Sequence, residues 1–171
     1  VFEDPRGYFF EAFNKRTLQD LGIAADFVQD NISLSKHNVL RGLHYQIEEA
    51  QGKLVRALAG QVFDVAVDLR VSSPTFGKWF GEVLTGANRK SMWIPPGFAH
   101  GFVVLSDEAL FSYKTTAYYA PQFERTILWN DSDLMIKWPI SSDPVLSKKD
   151  REGVPFARAE YYQTELVSSL K

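Results

Sequence analysis

The 171-residue sequence contains no cysteine. This absence excludes a disulfide framework, a thiolate metal site and a cysteine nucleophile. Any chemistry that the protein performs therefore depends on other side chains.

The sequence also lacks an excess of positive charge. Nineteen Lys and Arg residues stand against 21 Asp and Glu, which gives a net charge of −2 and a pI near 5.9. This balance argues against a general nucleic-acid binder. No apolar run has transmembrane length and no secretory signal is present. We therefore expect a cytoplasmic protein that binds neither nucleic acid nor membrane, although the chain opens at Val1, so a short leader or first strand could be missing.

The length and the 45% hydrophobic content favour a single domain over residues 1–171 with a sizeable core. One helical signal occurs early, where Asn14 can cap a helix that Gly22 can close. Residues 151–171 form a charged tail, partly helical, from which we read no function.

Most of the remaining chain predicts short β-strands separated by turn residues. The clearest strand is QVFDVAVDL (61–69), in which apolar residues alternate with a face that carries Asp64 and Asp68. Such a polar face ordinarily looks toward solvent, and we expect that here, although in a barrel some polar faces line a ligand cavity. Many short strands with regular turns predict an all-β sandwich or barrel of jelly-roll type.

The three histidines have different surroundings. His37 lies among polar residues and is expected in a loop. His44 lies in the strand-like VLRGLHYQ (39–46), and His100 follows a Pro-Pro-Gly turn in IPPGFAHGF (94–102). An isolated histidine of this kind is more often structural than catalytic, but two in glycine-punctuated segments favour a functional site.

A metal site is one interpretation of this pattern. Pro95, Gly97 and His100 resemble the second motif of metal-binding cupins, in which the histidine is a ligand. The first motif requires a second histidine where this chain has Gln46. Two imidazoles and one amide are a poor ligand set for zinc or iron. We therefore expect a barrel without a metal.

Nine segments together resemble the dTDP-4-dehydrorhamnose 3,5-epimerase family, and the resemblance runs in order from residue 1 to about 150. These segments are DPRGYFFEAF (4–13), QDNISLS (29–35), VLRGLHYQ (39–46), QGKLVRALAGQVFDVAVDLR (51–70), SPTFGKW (73–79), IPPGFAHGF (94–102), YKTTAYYAP (113–121), WNDSDLMIKWP (129–139) and LSKKD (146–150). The resemblance implies a cupin-type jelly-roll β-barrel with a few short peripheral helices. It also implies a homodimer that uses no metal or cofactor and acts on a dTDP-4-keto-6-deoxy sugar.

The resemblance also implies residue roles. His44 is the general base, Asp150 orients it, Tyr113 is the general acid and Lys53 lies near the keto oxygen. The implied substrate-binding residues are Arg6, Phe9, Glu11, Gln29, Asp30, Asn31, Arg41, His100, Glu124 and Lys148.

These residue types suit the implied reaction. The hydrogens on C3 and C5 of a 4-keto sugar flank a carbonyl, so removing either one gives an enolate. Inversion needs a base on one face of the ring and an acid on the other. Imidazole has a pKa near working pH, and lysine or a second imidazole can stabilise the enolate oxygen.

Arg41 and His44 make a further structural prediction. The arginine is expected to bind the substrate diphosphate while His44 faces the sugar. Residues three apart in a regular strand point to opposite faces. A twist or bulge at Gly42 must therefore turn both toward one pocket.

The aromatic segment 1–13 predicts a dimer. It carries Arg6 and Glu11, and the resemblance implies that it crosses to a second copy, where Phe9 can stack on the thymine.

Three alternatives stay open. A related enzyme of the same fold inverts only C3 or only C5, or moves the keto group. A non-catalytic jelly roll that binds nucleotide sugars would bind without proton exchange. A metal-dependent cupin enzyme is the third.

Overall fold

The computed structural model describes residues 1–163. Within this range the chain is predominantly β, as predicted. The strands are β1 (Phe2–Asp4), β2 (Gly7–Phe9), β3 (Gln29–Lys36), β4 (Leu40–Gln46), β5 (Lys53–Ala59), β6 (Gln61–Asp68), β7 (Trp79–Thr85), β8 (Met92–Ile94), β9 (Phe98–Val104), β10 (Glu108–Thr115) and β11 (Glu124–Thr126). The helices are α1 (Lys15–Asp20), α2 (Lys148–Arg151) and two 3-10 turns, Pro121–Phe123 and Phe156–Arg158.

Two antiparallel sheets build the jelly-roll barrel. The first has four strands in the order β3-β10-β5-β8, and the second has five in the order β11-β4-β9-β6-β7. A separate hairpin pairs β1 with β2. A core that includes Val55, Val62, Phe102 and Phe111 lies between the two sheets. The predicted fold class is therefore confirmed.

The N-terminal helix begins where the sequence predicts. The Asn14 side chain accepts hydrogen bonds from the backbone N–H groups of Arg16 and Thr17, which have no partner inside the helix. The chain leaves the helix through Gly22, whose φ of 82° is a conformation that glycine adopts without a side-chain clash.

The five-stranded sheet is buried on both faces. On its outer face Leu43, Val65, Val67 and Leu69 form a second core with residues between Ile127 and Tyr162. Tyr162 is itself buried, so this part of the predicted tail packs against the sheet. The rest of the predicted tail, residues 164–171, lies outside the described residues.

The prediction that Asp64 and Asp68 face solvent is wrong. Their relative exposures are 0% and 1%. Strand β6 lies between β7 and β9, so neither of its edges is open. Both of its faces are buried as well, because each one packs against a hydrophobic core. The apolar face packs under the C-terminal segment, while the face with the two aspartates lies on the barrel side. The alternation in the sequence is real, but it separates two buried environments.

Asp68 is stabilised by polar contacts within its own turn. Its carboxylate accepts hydrogen bonds from the Arg70 guanidinium and from the hydroxyls of Ser73 and Thr75. Burial alone would raise the pKa of this carboxyl, but these donors outweigh burial and hold it well below its usual value. Asp68 therefore stabilises the turn after β6.

No helix among residues 1–163 is both long and apolar enough to cross a membrane.

The outer core makes a stability prediction. Leu69→Ala should lower the free energy of unfolding by about 2–5 kcal/mol, because Leu69 is fully buried beneath the C-terminal segment. Urea unfolding measures this change. Leu21→Ala is the matched control, since Leu21 is largely exposed and its loss should cost about 0.5 kcal/mol or less. Equal small effects at both positions would show that the second core does not stabilise the fold.

Candidate active site

A cavity of about 360 Å³ opens into the barrel. Both sheets contribute its walls. The four-stranded sheet contributes Gln29, Asn31, Ser33, Lys53 and Tyr113, and the five-stranded sheet contributes Arg41, His44, His100, Phe102 and Glu124. Gln51, Tyr119 and Lys149 come from segments outside the strands. His44 and Tyr113 therefore belong to different sheets that line one cavity.

An extra residue in β4 places Arg41 and His44 in this same cavity. Arg41 pairs with Phe102 and His44 with His100, so β4 advances three residues where β9 advances two. Gly42 occupies the bulge with φ of 130°, and a Cβ there would lie 2.5 Å from the Cα of Gly101. Only glycine fits this position, as the sequence predicts. Arg41 is exposed at the cavity rim, where its Nε donates to the Ser35 hydroxyl at 3.0 Å.

His44, which is partly buried, pairs with the buried Asp150. The His44 Nε2 lies 2.5 Å from Asp150 Oδ1. Ser147, which caps helix α2, donates its hydroxyl to the other carboxylate oxygen at 2.6 Å, and the Gly42 N–H also contacts this carboxylate. Because Nε2 is engaged by Asp150, Nδ1 is the nitrogen that remains for a ligand. The bulge and the helix cap together orient the imidazole.

The two partners of this pair have shifted pKa values. Burial lowers the pKa of His44 below its usual 6.5, and this effect outweighs the opposing influence of Asp150. Burial alone would raise the pKa of Asp150, but the hydrogen bonds from His44, Ser147 and Gly42 lower it to about 2. At neutral pH the pair is therefore a neutral imidazole beside a carboxylate. This is the charge state that a general base requires.

A second imidazole–carboxylate pair lies beside the first, because His100 of β9 is the strand partner of His44 of β4. His100 Nε2 lies 2.9 Å from Asp64 Oδ2, and both side chains are buried. Burial raises the pKa of Asp64, and the second carboxylate oxygen, Oδ1, is buried without a hydrogen-bond partner. Asp64 was assigned to a solvent face in the sequence, so its contact with His100 was missed.

Lys53 is a buried cation near these groups. Burial lowers its pKa to about 8, while the charges of Asp64 and Glu124 partly oppose this shift. The ammonium group therefore remains largely protonated at neutral pH. In a site of low dielectric constant such a charge stabilises an anion strongly.

Tyr113 lies on the wall opposite His44. It occupies β10 beside Asn31 of β3 and Val55 of β5. Burial raises the pKa of its phenol above the usual 10. The hydroxyl is consequently protonated at neutral pH and can donate a proton.

Three side chains meet at the cavity mouth. Glu124 accepts a hydrogen bond from the Tyr119 hydroxyl at 3.1 Å and forms an ion pair with Lys149 at 2.8 Å. Burial alone would raise the pKa of Glu124, but the contact with Lys149 lowers it. Sequence reasoning did not assign Tyr119 or Lys149 to a binding site. Lys149 adjoins Lys148 in LSKKD, and only the turn of α2 decides which lysine enters the cavity.

Six residues of the predicted site do not line this cavity. Asp30 is on the outer face of β3, where it pairs with Lys114, and Lys148 is exposed near Glu152. Three more are on the N-terminal segment: Arg6 pairs with Asp4, Phe9 stacks on Phe2, and Glu11 lines a separate small groove. The sixth, Asp150, lies behind His44 and is hydrogen-bonded to it. The remaining predicted residues line the cavity.

Among residues 1–163 no group of three or more His, Cys, Asp or Glu side chains is arranged to hold a metal ion.

The fold and this cavity define a cupin-type barrel whose cavity holds two imidazole–carboxylate pairs. The family model for dTDP-4-dehydrorhamnose 3,5-epimerase matches residues 1–158. The chain belongs to this family. The Pseudomonas aeruginosa dTDP-4-dehydrorhamnose 3,5-epimerase is 60% identical over 163 residues, which cover 95% of this chain and 90% of the relative.

Solved structures agree with this assignment. The crystal structure of dTDP-6-deoxy-D-glucose-3,5-epimerase RmlC from Legionella pneumophila Philadelphia 1, in complex with dTDP-4-keto-L-rhamnose, has a TM-score of 0.92 and 49% identity, covering 96% of this chain and 89% of that one. ChmJ, a 3'-monoepimerase from Streptomyces bikiniensis in complex with dTDP-quinovose, has a TM-score of 0.85 and 31% identity, covering 91% and 80%.

The His44–Asp150 pair makes a prediction about titration. In the free protein the His44 imidazole should titrate below pH 6.5, because burial disfavours its charged form. Asp150→Asn should lower this midpoint further, because it removes the negative charge that favours the imidazolium. NMR titration of the histidine rings measures both values, and His44→Gln identifies the signal. A His44 midpoint that stays unchanged in Asp150→Asn would contradict the coupling.

Proposed function

We propose that this protein inverts C3 and C5 of dTDP-4-dehydro-6-deoxyglucose to give dTDP-4-dehydro-L-rhamnose. The observation that carries the proposal is the position of His44 and Tyr113 on opposite walls of one cavity. Epimerisation next to a ketone requires removal of a proton from one face and return of a proton to the other. The identity of the relatives supports the same substrate and outcome.

His44 is the proposed base. Nδ1 accepts the proton from the carbon next to the ketone, and the electron pair of the broken C–H bond forms the enolate, with its charge on the C4 oxygen. Asp150 then stabilises the imidazolium through Nε2. The low pKa of His44 keeps the base available at neutral pH.

Lys53 and His100 are the proposed partners of the enolate oxygen. Both line the cavity between the two walls, and Lys53 supplies a buried positive charge. Asp64 fixes the orientation of His100 through Nε2 and leaves Nδ1 for the substrate. Preorganised donors of this kind contribute roughly 3–4 kcal/mol each to transition-state stabilisation in other enzymes.

Tyr113 is the proposed acid. It returns a proton to the opposite face of the enolate, and the C4 carbonyl re-forms with inverted configuration at the reacting carbon. The cycle closes when the imidazolium loses its proton to solvent and the phenolate regains one. The raised pKa of Tyr113 favours rapid recovery of the phenol.

Arg41 is the proposed contact for the diphosphate, with Gln29, Asn31 and Glu124 lining the path to the nucleotide. Lys149 joins this set because it lines the cavity. The N-terminal residues Arg6, Phe9 and Glu11 are proposed to act in the cavity of a second copy. Asp30 and Lys148 lie outside the cavity, so their proposed substrate contacts require both side chains to move when the substrate binds.

We propose a homodimer on the basis of exposed apolar surface. Phe2 and Phe9 of the N-terminal hairpin are 74% and 70% exposed, and Ile32 and Leu34 face outward from β3. A group of such residues is costly in water unless a partner covers it. Arg89 contacts the hairpin through Glu3 and the Tyr8 ring, so the hairpin is held in a fixed direction.

The proposal also includes a metal-free reaction in the cytoplasm. The side chains at the cupin metal-ligand positions support a reaction without metal. His44 and His100 each contact a carboxylate, and Gln46 contacts backbone groups instead of entering the cavity. The substrate supports the cytoplasmic location, since a nucleotide-linked sugar is a cytoplasmic metabolite.

Single epimerisation is the second candidate, because the 3'-monoepimerase ChmJ shares the fold at 31% identity. NMR of the product from dTDP-4-dehydro-6-deoxyglucose separates the two outcomes. A non-catalytic binding protein would give neither product nor solvent exchange at C3 and C5.

The pH dependence of kcat/KM should be bell-shaped. His44 must be neutral to accept a proton, so activity should rise with pH through a value below 6.5. Lys53 must be charged to stabilise the enolate, so activity should fall near its pKa of about 8. Lys53→Arg should remove this alkaline limb, because guanidinium stays protonated. An alkaline limb that remains near 8 in Lys53→Arg would reassign it to another group.

Tyr113→Phe should separate proton exchange from inversion. The base can still form the enolate, and the ring still fills its place, but the proton returns mostly from the His44 side. In deuterated water we expect deuterium incorporation at C3 or C5 to exceed inversion by roughly a hundredfold. A single NMR time course follows both processes.

Two controls make this test specific. Tyr119→Phe also removes a phenol oxygen at the cavity, but it should keep exchange and inversion matched. His44→Ala should abolish both. Inversion at the wild-type rate in Tyr113→Phe would require another proton donor.

The dimer proposal predicts complementation between two variants. His44→Ala removes the base, and Arg6→Ala damages the N-terminal segment, so each variant alone should have low activity. In a mixed dimer, one cavity keeps His44 and receives an intact segment from its neighbour. An equal mixture should therefore recover roughly a quarter of the wild-type activity. Ultracentrifugation monitors assembly, and recovery that stays at the average of the two variants would contradict exchange of the segment.

A further inference from the structure

Gln46 holds the loop that carries Tyr119. Its side chain is 3% exposed and makes three hydrogen bonds, all to backbone groups. Nε2 donates to the carbonyl oxygens of Glu49 at 2.9 Å and Tyr118 at 3.2 Å, and Oε1 accepts from the Ala120 N–H at 2.9 Å. The amide therefore contacts the residue on each side of Tyr119.

This arrangement requires a carboxamide. One end of the side chain must donate to two carbonyls while the other accepts from an N–H, and only glutamine or asparagine offers both. Gln46 follows His44 by two residues on β4, at the position where the first cupin motif has its second histidine. Here the side chain lies outside the cavity lining, so any effect on a ligand passes through the loop.

The loop in turn places Tyr119 at the cavity mouth. The Tyr119 N–H donates to Gln29 Oε1 at 3.0 Å, and its hydroxyl donates to Glu124. The ring is about half exposed and lines the cavity. Its position is thus set by Gln46 from both neighbours, by Gln29 at its own backbone and by Glu124 at its tip.

We propose that Gln46 is a positioning residue that fixes Tyr119 for binding of the nucleotide sugar at the cavity mouth. The inference rests on the proposed function, because it assumes that this cavity binds a dTDP-sugar. Gln46 touches neither the His44 pair nor Tyr113 in the described residues, so it acts on binding and leaves proton transfer unchanged.

Gln46→Glu is the most discriminating substitution. It keeps the size of the side chain and the acceptor for Ala120, but it places a carboxylate oxygen against two carbonyl oxygens. KM for the sugar nucleotide and Kd for dTDP should rise roughly tenfold, which corresponds to the loss of about one good contact. kcat should stay within about twofold of wild type, and the acidic and alkaline midpoints of the kcat/KM pH profile should stay unchanged.

Asn88→Ala is the matched control. Asn88 also makes three hydrogen bonds to backbone groups, those of Val83, Thr85 and Lys90, but in a turn away from the cavity. Its loss should lower thermal stability and leave KM and Kd unchanged. If Gln46→Glu behaves in the same way, Gln46 is only structural and the proposal is overturned.

A double-mutant cycle provides the decisive test. Kd for dTDP is measured by calorimetry for Gln46→Glu, Tyr119→Ala and the double variant. If Gln46 acts through Tyr119, Gln46→Glu should change Kd by less than about twofold once Tyr119 is absent. Fully additive effects would overturn the proposal. The proposed function fails separately, if the wild-type protein binds dTDP but does not invert the sugar. The cycle can still be measured in that case, because it uses only Kd for dTDP.

Discussion

One extra residue in β4 turns Arg41 and His44 toward the same cavity, and much of the site depends on it. The bulge at Gly42 also directs a backbone N–H toward Asp150, the carboxylate that holds His44. A side chain at residue 42 would collide with Gly101 of the neighbouring strand. A contact between two glycines in adjacent strands thus fixes His44, its carboxylate partner and the arginine at the cavity rim.

Burial on both faces of the five-stranded sheet supports this geometry. The C-terminal segment covers the outer face, so the barrel side can hold polar groups without weakening the core. Asp64, His100 and Lys53 occupy this sheltered region. Burial then adjusts their charges: it lowers the pKa of Lys53 and raises that of Asp64. The scaffold supplies both the positions of these polar groups and the low dielectric constant that strengthens the interactions of their charges.

Local sequence patterns predicted the parts of the fold that depend on local physics. Asn14 caps its helix, and β6 alternates as expected, because capping and pleating involve near neighbours in the chain. The environment of each β6 face could not be read locally, since it depends on the opposite sheet and on a distant C-terminal segment that reaches from Ile127 to Tyr162. Asp64 was misplaced for this reason.

For the same reason, only part of the site could be predicted from the sequence. His44, Lys53, Tyr113 and His100 lie in segments whose order matched a family, and these residues meet in one cavity. Lys148 and Lys149 are adjacent, and only the direction of a four-residue helix separates the lysine in the cavity from the one in solvent. Tyr119 is placed by amides from distant strands, a relation that no periodicity contains.

The central claim is that the base and the acid act on opposite faces of one sugar ring. A crystal structure of the His44→Asn variant with dTDP-4-dehydro-6-deoxyglucose tests it most directly. The account predicts that the ring lies between residue 44 and the Tyr113 hydroxyl, with the hydrogen on C3 or C5 directed toward residue 44 and the C4 oxygen at Lys53. A sugar ring with residue 44 and Tyr113 on the same face would contradict the account.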